Sequence, residues 1–258
     1  MIDPYFKVVA IARTENPQRV IWQAAHQCVC EGATIDDPTP TSADITRNDE
    51  LVCGKAVVKH LLAGNKGHFS PCEMAYITFN VIGFPHRVVQ QASRHRHLSF
   101  SVQSFRYSGQ RIASLGEQLN EVMSWNDRHL AEIEKLFYLR PVGEYAGRSG
   151  GRYSYPEDSR RRDLITCGKA ALEYYQDLQR GTAPEQACGL LPMDTRQNWV
   201  VSGNLRAWLH FLDLRSKADA QLEIVQLSEL LWAEIKDWVP EIASWYAQNR
   251  YGKARLAP

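Results

Sequence analysis

Residues 94–106 read RHRHLSFSVQSFR, and this stretch decides how the rest of the chain is interpreted. Its first four residues are basic, and Arg106 adds a further cation within ten positions. Apolar and aromatic side chains stand between the polar ones, at Phe100, Val102, Phe105 and Tyr107. Such an alternation tends to hold a segment against the body of a protein, so that its cations keep a fixed direction and match phosphate oxygens. The residues alone leave two alternatives open, an anion-binding site or a solvated basic loop.

The composition is that of an ordinary soluble domain, with 258 residues, 44% of them hydrophobic and 23% charged. A net charge of +1 provides no global field that would attract nucleic acid or a membrane surface. No apolar run approaches the ~20 residues of a membrane helix, and residues 1–5 do not resemble a secretory signal. The six cysteines include no Cys-x-x-Cys pair, so we expect reduced thiols and no metal. We expect one cytoplasmic domain over residues 1–258.

Hydrophobic periodicity predicts an α+β fold in which helices dominate. Strands are predicted over residues 8–11 and 75–81, and a short helix after Pro85 is expected to lead to Arg94. A region rich in Gly, Ser and Tyr predicts a long loop over residues 147–158. Further helices are predicted over residues 20–30, 51–62, 116–138, 164–178, 204–214 and 224–235.

Three blocks of the chain resemble the flavin-dependent thymidylate synthases. The spacing of Arg94-His95-Arg96, seven residues, then Ser104-x-Arg106 resembles the signature of that family. Residues 68–73, HFSPCE, are similar to its upstream His-x-Ser/Thr-x-x-Glu segment, again just before a strand. Residues 191–224 resemble its C-terminal helices. The similarity covers roughly residues 7 to 240, and it implies a small sheet with long helices and a homotetramer whose flavin sites are built from several subunits.

The resemblance also implies roles for individual residues. The FAD-binding positions of the family correspond to His68, Ser70, Glu73, Arg94, His95, Arg96, Asn204, Arg206 and His210. The nucleotide-binding positions correspond to Gln91, Ser104, Arg106 and Arg215. Arg215 matches the arginine beside the pyrimidine ring, where it is expected to stabilise charge that develops on the uracil, and it is the expected catalytic residue.

The chemistry implied by the resemblance needs no cysteine nucleophile. Reduced flavin is the electron source, methylenetetrahydrofolate supplies the one-carbon unit, and NADPH reduces the flavin. The chain has no Gly-x-Gly-x-x-Gly after a strand, so no separate Rossmann domain for NADPH is indicated. NADPH is therefore expected to bind at the flavin face.

The chain departs from the family pattern at three places, all in segments implicated in the nucleotide site. Ser101-Val102 stands where the family usually has Asn-Glu, Cys188 where it has an arginine, and Met74 where it has a histidine. A lost arginine removes a phosphate contact of roughly 1.5–3 kcal/mol. The smaller Ser-Val segment leaves room for a ribose 2′-hydroxyl. We therefore predict the UMP/dUMP C5-methylase branch of nucleoside-antibiotic (polyoxin-type) biosynthesis.

Several alternatives stay open. The chain could be a housekeeping dUMP-specific enzyme, a flavin-free nucleotide-binding paralogue, or an RNA-binding protein, although its near-neutral charge argues against the last. Asn204 could serve only as a helix N-cap, and His210 could be a satisfied, half-buried histidine. A zinc site from His86, His95 and His97 lacks any known ligand spacing. Candidates to replace the missing phosphate arginine are Arg148, Arg152 and residues 160–162.

Overall fold

The computed structural model describes residues 2–34, 47–147 and 150–253. The chain forms two compact units. The first comprises Met1–Val81, Gln91–Ser101 and Val200–Pro258, and the second comprises Ile82–Gln90 and Val102–Trp199. The single domain expected over residues 1–258 stays a prediction, and each unit is described here by itself.

The secondary structure combines a majority of helices, as the sequence predicts, with a four-stranded sheet and a separate two-stranded sheet that the sequence did not predict. In the first half of the chain the elements are β1 (Lys7–Arg13), α1 (Pro17–Gln27), α2 (Arg47–Val57), β2 (Tyr76–Pro85), α3 (His86–Ala92), β3 (Ser99–Val102), α4 (Phe105–Ser108), α5 (Gln110–Asn120) and α6 (Asp127–Leu136). In the second half they are β4 (Gly143–Ala146), β5 (Arg152–Tyr155), α7 (Glu157–Gln179), α8 (Pro184–Ala187), β6 (Arg196–Asn204), α9 (Leu205–Arg215), α10 (Leu222–Trp238) and α11 (Pro240–Asn249). A π-helical turn at Val58–Leu62 and a 3₁₀ helix at Ser70–Met74 connect α2 to β2.

A four-stranded sheet has the strand order β1-β2-β6-β3, and most of its residues belong to the first unit. Strand β2 alternates along its length, so that Ile77, Phe79 and Val81 are fully buried while the residues between them are not. Helix α9 packs on this apolar face, where Trp208 meets the ring of Phe79 edge-on at 5.0 Å. The alternation read from residues 75–81 is thus confirmed.

The second unit has its own core, in which α5, α6 and α7 pack together. Buried apolar residues that include Ile112, Leu119, Ile133 and Leu164 fill it. Helices α5 and α7 come close at Gly116, where an added Cβ would lie 2.3 Å from the Ala171 carbonyl oxygen. A side chain at this position would push the helices apart.

Two element predictions in the second unit are wrong. The long helix predicted over residues 116–138 is interrupted, because Asn126 caps a new helix by accepting hydrogen bonds from the backbone N–H groups of Arg128 and His129. The loop predicted over residues 147–158 contains β5, which pairs antiparallel with β4, and the following helix begins at Glu157.

The remaining predicted elements are found at the expected places in the chain, but their lengths differ from the prediction. The predicted helices and strands elsewhere are present with ends shifted by a few residues, apart from 51–62, which is α2 followed by a π turn. Strands β3 and β6 and helix α11 had no sequence prediction. Of the described helices, none is long and apolar enough to cross a bilayer.

Candidate functional site

The basic run at residues 94–97 lies in a short turn between α3 and β3. The turn is closed by backbone hydrogen bonds from the His95 N–H to the Ala92 carbonyl, at 3.1 Å, and from the Leu98 N–H to the His95 carbonyl, at 3.3 Å. His95 and Leu98 are buried, whereas Arg94, Arg96 and His97 are exposed. The buried side chains of His95 and Leu98 therefore anchor the turn that carries the cations Arg94 and Arg96.

These cations line a cavity of about 540 Å³ in the first unit, which is within the usual size range of small-molecule sites. The lining comes from three separate stretches of chain: Glu73, residues 94–98, and the start of α9. Three arginines face one carboxylate, so the wall carries an excess of positive charge. The lining residues are Glu73, Arg94, His95, Arg96, His97, Leu98, Asn204, Arg206, Ala207 and His210.

An ion pair joins two sides of this cavity. Arg206 Nη1 donates to Glu73 Oε1 at 2.7 Å, and both side chains are more than a third exposed. Pairs in such positions contribute little to stability, typically 0–1 kcal/mol. The main consequence is geometric, because the pair holds the Arg206 guanidinium at the cavity wall.

Helix α9 begins at the cavity. Asn204 is its N-cap and accepts a hydrogen bond from the Ala207 N–H at 2.8 Å. The N-cap interpretation of Asn204 is thus correct, yet the same residue also lines the cavity. The positive end of the helix dipole adds to the arginines and favours an anion here.

His95 is held in its neutral form. Its Nε2 accepts a hydrogen bond from Arg215 Nε at 3.0 Å, so the ring proton must reside on Nδ1. Burial, followed by the charges of Arg215 and His210, lowers the pKa of His95 to about 4. The Nδ1 atom is buried and has no hydrogen-bond partner among the described residues.

Arg215 and Gln91 do not line the cavity, and Arg215 is joined to the lining residue His95 by the hydrogen bond to its Nε2. Arg215 Nη2 donates to the Gln91 carbonyl oxygen at 3.3 Å, and the Gln91 amide donates to the side chain of Gln221. Gln221 in turn donates to the buried carboxylate of Glu223 at 2.6 Å. Burial and the nearby Arg94 lower the pKa of Arg215.

The structure thus brings seven of the predicted site residues into one cavity and connects two more, Gln91 and Arg215, to it through His95. His68 and Ser70 are exposed and do not line the cavity. Ser104 and Arg106 are exposed residues of the second unit, where the Arg106 guanidinium lies 5.4 Å from the ring of Tyr107. The lining residue His97 was not among the predicted ligands, although it belongs to the basic run.

The arginines that are candidates to replace the missing phosphate contact differ in their ion-pair partners and exposure. Arg160 pairs with Glu134, and Arg161 pairs with Asp127 at 2.7 Å. Arg152 is exposed on β5. Arg148 lies outside the described residues.

Comparison with known proteins identifies the family. The sequence pattern of the Thy1 family, described as thymidylate synthase complementing protein, matches residues 10–241. A flavin-dependent thymidylate synthase of Halobacterium salinarum is 31% identical over 98% of this chain and 100% of its own length. That of Haloarcula marismortui is 30% identical, over 97% and 99%. The chain belongs to the flavin-dependent thymidylate synthase family.

Solved structures agree on the fold of this family member. A UMP/dUMP methylase from Streptomyces cacaoi, bound with 5-Br UMP, superposes with a TM-score of 0.67 at 21% identity, covering 98% of this chain and 97% of its own. A Helicobacter pylori enzyme complexed with FAD and dUMP gives 0.65 at 20% identity, covering 90% and 97%. These similarities confirm the predicted α+β fold.

The cavity of this flavin-dependent thymidylate synthase family member has a donor set that fits a dinucleotide cofactor. Three arginines and a helix N-terminus suit a pyrophosphate. Among the residues that the structure describes, no cysteine lines the cavity. Cys72, beside Glu73 in sequence, is fully buried, and burial raises its pKa to about 12. It therefore remains a thiol at neutral pH and is unsuited to act as a nucleophile.

Proposed function

We propose that this protein is an FAD-dependent uridylate C5-methylase that accepts UMP as well as dUMP and serves nucleoside-antibiotic biosynthesis. Methylenetetrahydrofolate is the carbon donor and NADPH the reductant. The enzyme acts in the cytoplasm as a homotetramer of single-domain chains, with neither nucleic acid nor a membrane as partner. The observation that carries the proposal is the cationic cavity that gathers Arg94, Arg96 and Arg206 from distant parts of the chain.

The cavity side chains divide the work of holding FAD. Arg94, Arg96 and Arg206 bind its pyrophosphate, aided by the N-terminus of α9. Glu73 orients Arg206 by its 2.7 Å ion pair. His210 and Asn204 complete the wall, while His68 and Ser70 are expected to contribute to a site of a neighbouring subunit. When bound, FAD supplies the reducing equivalents.

Arg215 acts on the nucleotide. Uracil C5 is a weak nucleophile toward a one-carbon unit, and negative charge on the oxygen and nitrogen atoms of the pyrimidine ring makes it a stronger one. A guanidinium fixed beside that ring stabilises the charge without reorganising during the reaction. Gln91, Ser104 and Arg106 are proposed to hold the nucleotide itself. This route requires no covalent cysteine adduct, in keeping with the buried thiol of Cys72.

The preference for UMP rests on the departures from the family pattern. Ser101 and Val102 are both exposed, and neither offers a carboxylate to the sugar hydroxyls. A small, uncharged segment tolerates an additional 2′-hydroxyl. The second candidate function is a dUMP-specific housekeeping thymidylate synthase, which is favoured by the names of the two haloarchaeal relatives.

The two candidate functions differ in whether UMP is methylated. Purified protein loaded with FAD is incubated with methylenetetrahydrofolate and NADPH, together with UMP or dUMP, and the nucleotides are analysed by mass spectrometry. We expect a methylated product from both. Methylation of dUMP alone would support the housekeeping enzyme, and no product from either nucleotide would refute the methylase function.

Cofactor binding can be tested apart from turnover. Replacing Arg96 by Met removes one charge-assisted contact, and we expect FAD affinity to fall about 10- to 100-fold, which corresponds to roughly 1.5–3 kcal/mol. Arg128→Met, an exposed arginine on α6 outside the cavity, is the matched control. Affinity is measured by flavin fluorescence titration of the apo-protein. Equal affinities in the two variants would exclude Arg96 from the FAD site.

A further inference from the structure

The guanidinium of Arg215 is fixed on two of its edges. Nε donates to His95 Nε2 at 3.0 Å, and Nη2 donates to the Gln91 carbonyl at 3.3 Å. Within the described residues, Nη1 donates to no protein acceptor. The planar guanidinium is therefore held in one orientation, and its Nη1 N–H groups have no protein acceptor among the described residues.

The imidazole that accepts from Nε is itself closely packed. The His95 ring is 5% exposed and lies 4.7 Å from the ring of Phe211 and 5.4 Å from that of His210, measured between centroids. Both neighbours belong to α9, the helix whose last residue is Arg215. A shift of the His95 ring away from α9 would thus require the turn and the helix to move apart.

We propose that His95 is a positioning residue for Arg215, rather than only a cofactor ligand. Its neutral Nε2, together with the Gln91 carbonyl, aims the unpaired Nη1 corner of Arg215 at a carbonyl oxygen of the uracil ring. The inference rests on the proposed function, in which Arg215 stabilises charge on that ring. It assigns to the middle residue of the Arg-His-Arg run a task different from that of its two exposed neighbours.

The arrangement works only with an uncharged imidazole. A proton on Nε2 would set an N–H against the N–H of Arg215 and place two cations in contact. The charged and titratable groups around His95 are Arg215 and His210 on α9 and Arg94 and His97 in its own turn. Burial disfavours a proton on His95 most strongly, and Arg215 and His210 act in the same direction.

The test compares His95→Phe with His95→Gln in the FAD-loaded enzyme. Phe keeps a ring against Phe211 but offers no acceptor, whereas the Gln amide oxygen can reach Arg215. We expect kcat to fall about 100-fold in His95→Phe, the loss associated with a misplaced catalytic group, while the KM for the nucleotide changes little. His95→Gln should recover at least a tenth of the wild-type kcat. Rates are expressed per bound FAD.

A second measurement does not depend on turnover. In the wild-type protein the Arg215 Nε–H should exchange slowly with solvent by NMR, and in His95→Phe it should exchange fast. Slow exchange without any methylation activity would sustain the positioning contact and refute the proposed function. Fast exchange in the wild type, or a normal kcat per bound FAD in His95→Phe, would overturn the inference. If His95→Phe does not fold, the inference is tested by the wild-type exchange rate and by the kcat of His95→Gln. Fast exchange of the Arg215 Nε–H in the wild type, or a His95→Gln kcat below about a hundredth of the wild-type value, would overturn the inference.

Discussion

His95 and His97 are two residues apart in the basic run, yet their surroundings give them different chemistry. His95 is buried, accepts a hydrogen bond from Arg215 and has a pKa lowered to about 4. His97 is exposed at the cavity wall. Residue type alone marks both as side chains that can carry a charge, and the surroundings decide that His95 stays uncharged in mildly acidic solution as well.

This difference predicts a pH-dependent stability. His95 binds its proton more weakly in the folded protein than in the unfolded chain, where the histidine pKa is near 6.5. Its contribution to the free energy of unfolding is therefore complete above pH 6.5 and is lost as the pH falls toward about 4. We expect this group to account for roughly 3 kcal/mol of the change in unfolding free energy over that range. Urea unfolding of the apo-protein measures it.

The variant His95→Phe should lose this part of the pH dependence, because its ring does not titrate. The control His68→Asn removes an exposed histidine and should leave the wild-type curve unchanged. An identical pH dependence in the wild type and His95→Phe would show that His95 is not held neutral by the fold.

At the scale of elements, the site depends on the close approach of β6 to the turn that carries the cations. Gly203, next to the end of β6, has no room for a side chain: an added Cβ would lie 2.3 Å from Leu98 Cδ2. Leu98 is one of the two buried anchors of the turn. The turn can therefore sit against β6 only because position 203 is glycine.

Replacing Gly203 by Ala should destabilise the protein by about 1–3 kcal/mol through overpacking against Leu98. In a Leu98→Ala background the same substitution should cost far less, because its clash partner is gone. Urea unfolding of the four proteins gives the coupling energy. Gly189→Ala is the control, since a Cβ there meets no atom within 4 Å. Additive effects of the two substitutions would contradict the contact.

At the scale of the whole molecule, the sheet of the first unit exposes apolar side chains. Val9 and Ile11 on β1 are 48% and 54% exposed, and Tyr76 at the start of β2 is 53% exposed. β1 is also an edge strand, which natural proteins usually cover or charge. A surface of this kind is typical of a subunit interface, as the proposed homotetramer requires.

Replacing Ile11 by Glu should therefore break the proposed assembly by burying a charge in an apolar contact. Light scattering coupled to gel filtration measures the mass, and we expect a tetramer for the wild type and smaller species for the variant. Val29→Glu, which changes an exposed valine just beyond α1, should remain tetrameric. A monomeric wild type, or a tetrameric Ile11→Glu, would contradict this interface.

The sequence by itself determined the family, the α+β class and most of the residues that line the cavity. Residues at short fixed spacings, such as Arg-His-Arg and Asn204-x-Arg206, belong to the same turn or helix end, so their proximity in the structure can be predicted from the sequence. Only the tertiary structure decided which of these residues meet. His95 and Arg215 are 120 positions apart, and no local pattern predicts their hydrogen bond. The same holds for the exposed positions of His68 and Ser70 and for the break at Asn126, where one side chain caps a helix that periodicity had joined to the one before. Periodicity reports which face of an element is apolar, whereas burial and hydrogen bonding depend on the elements that pack against it.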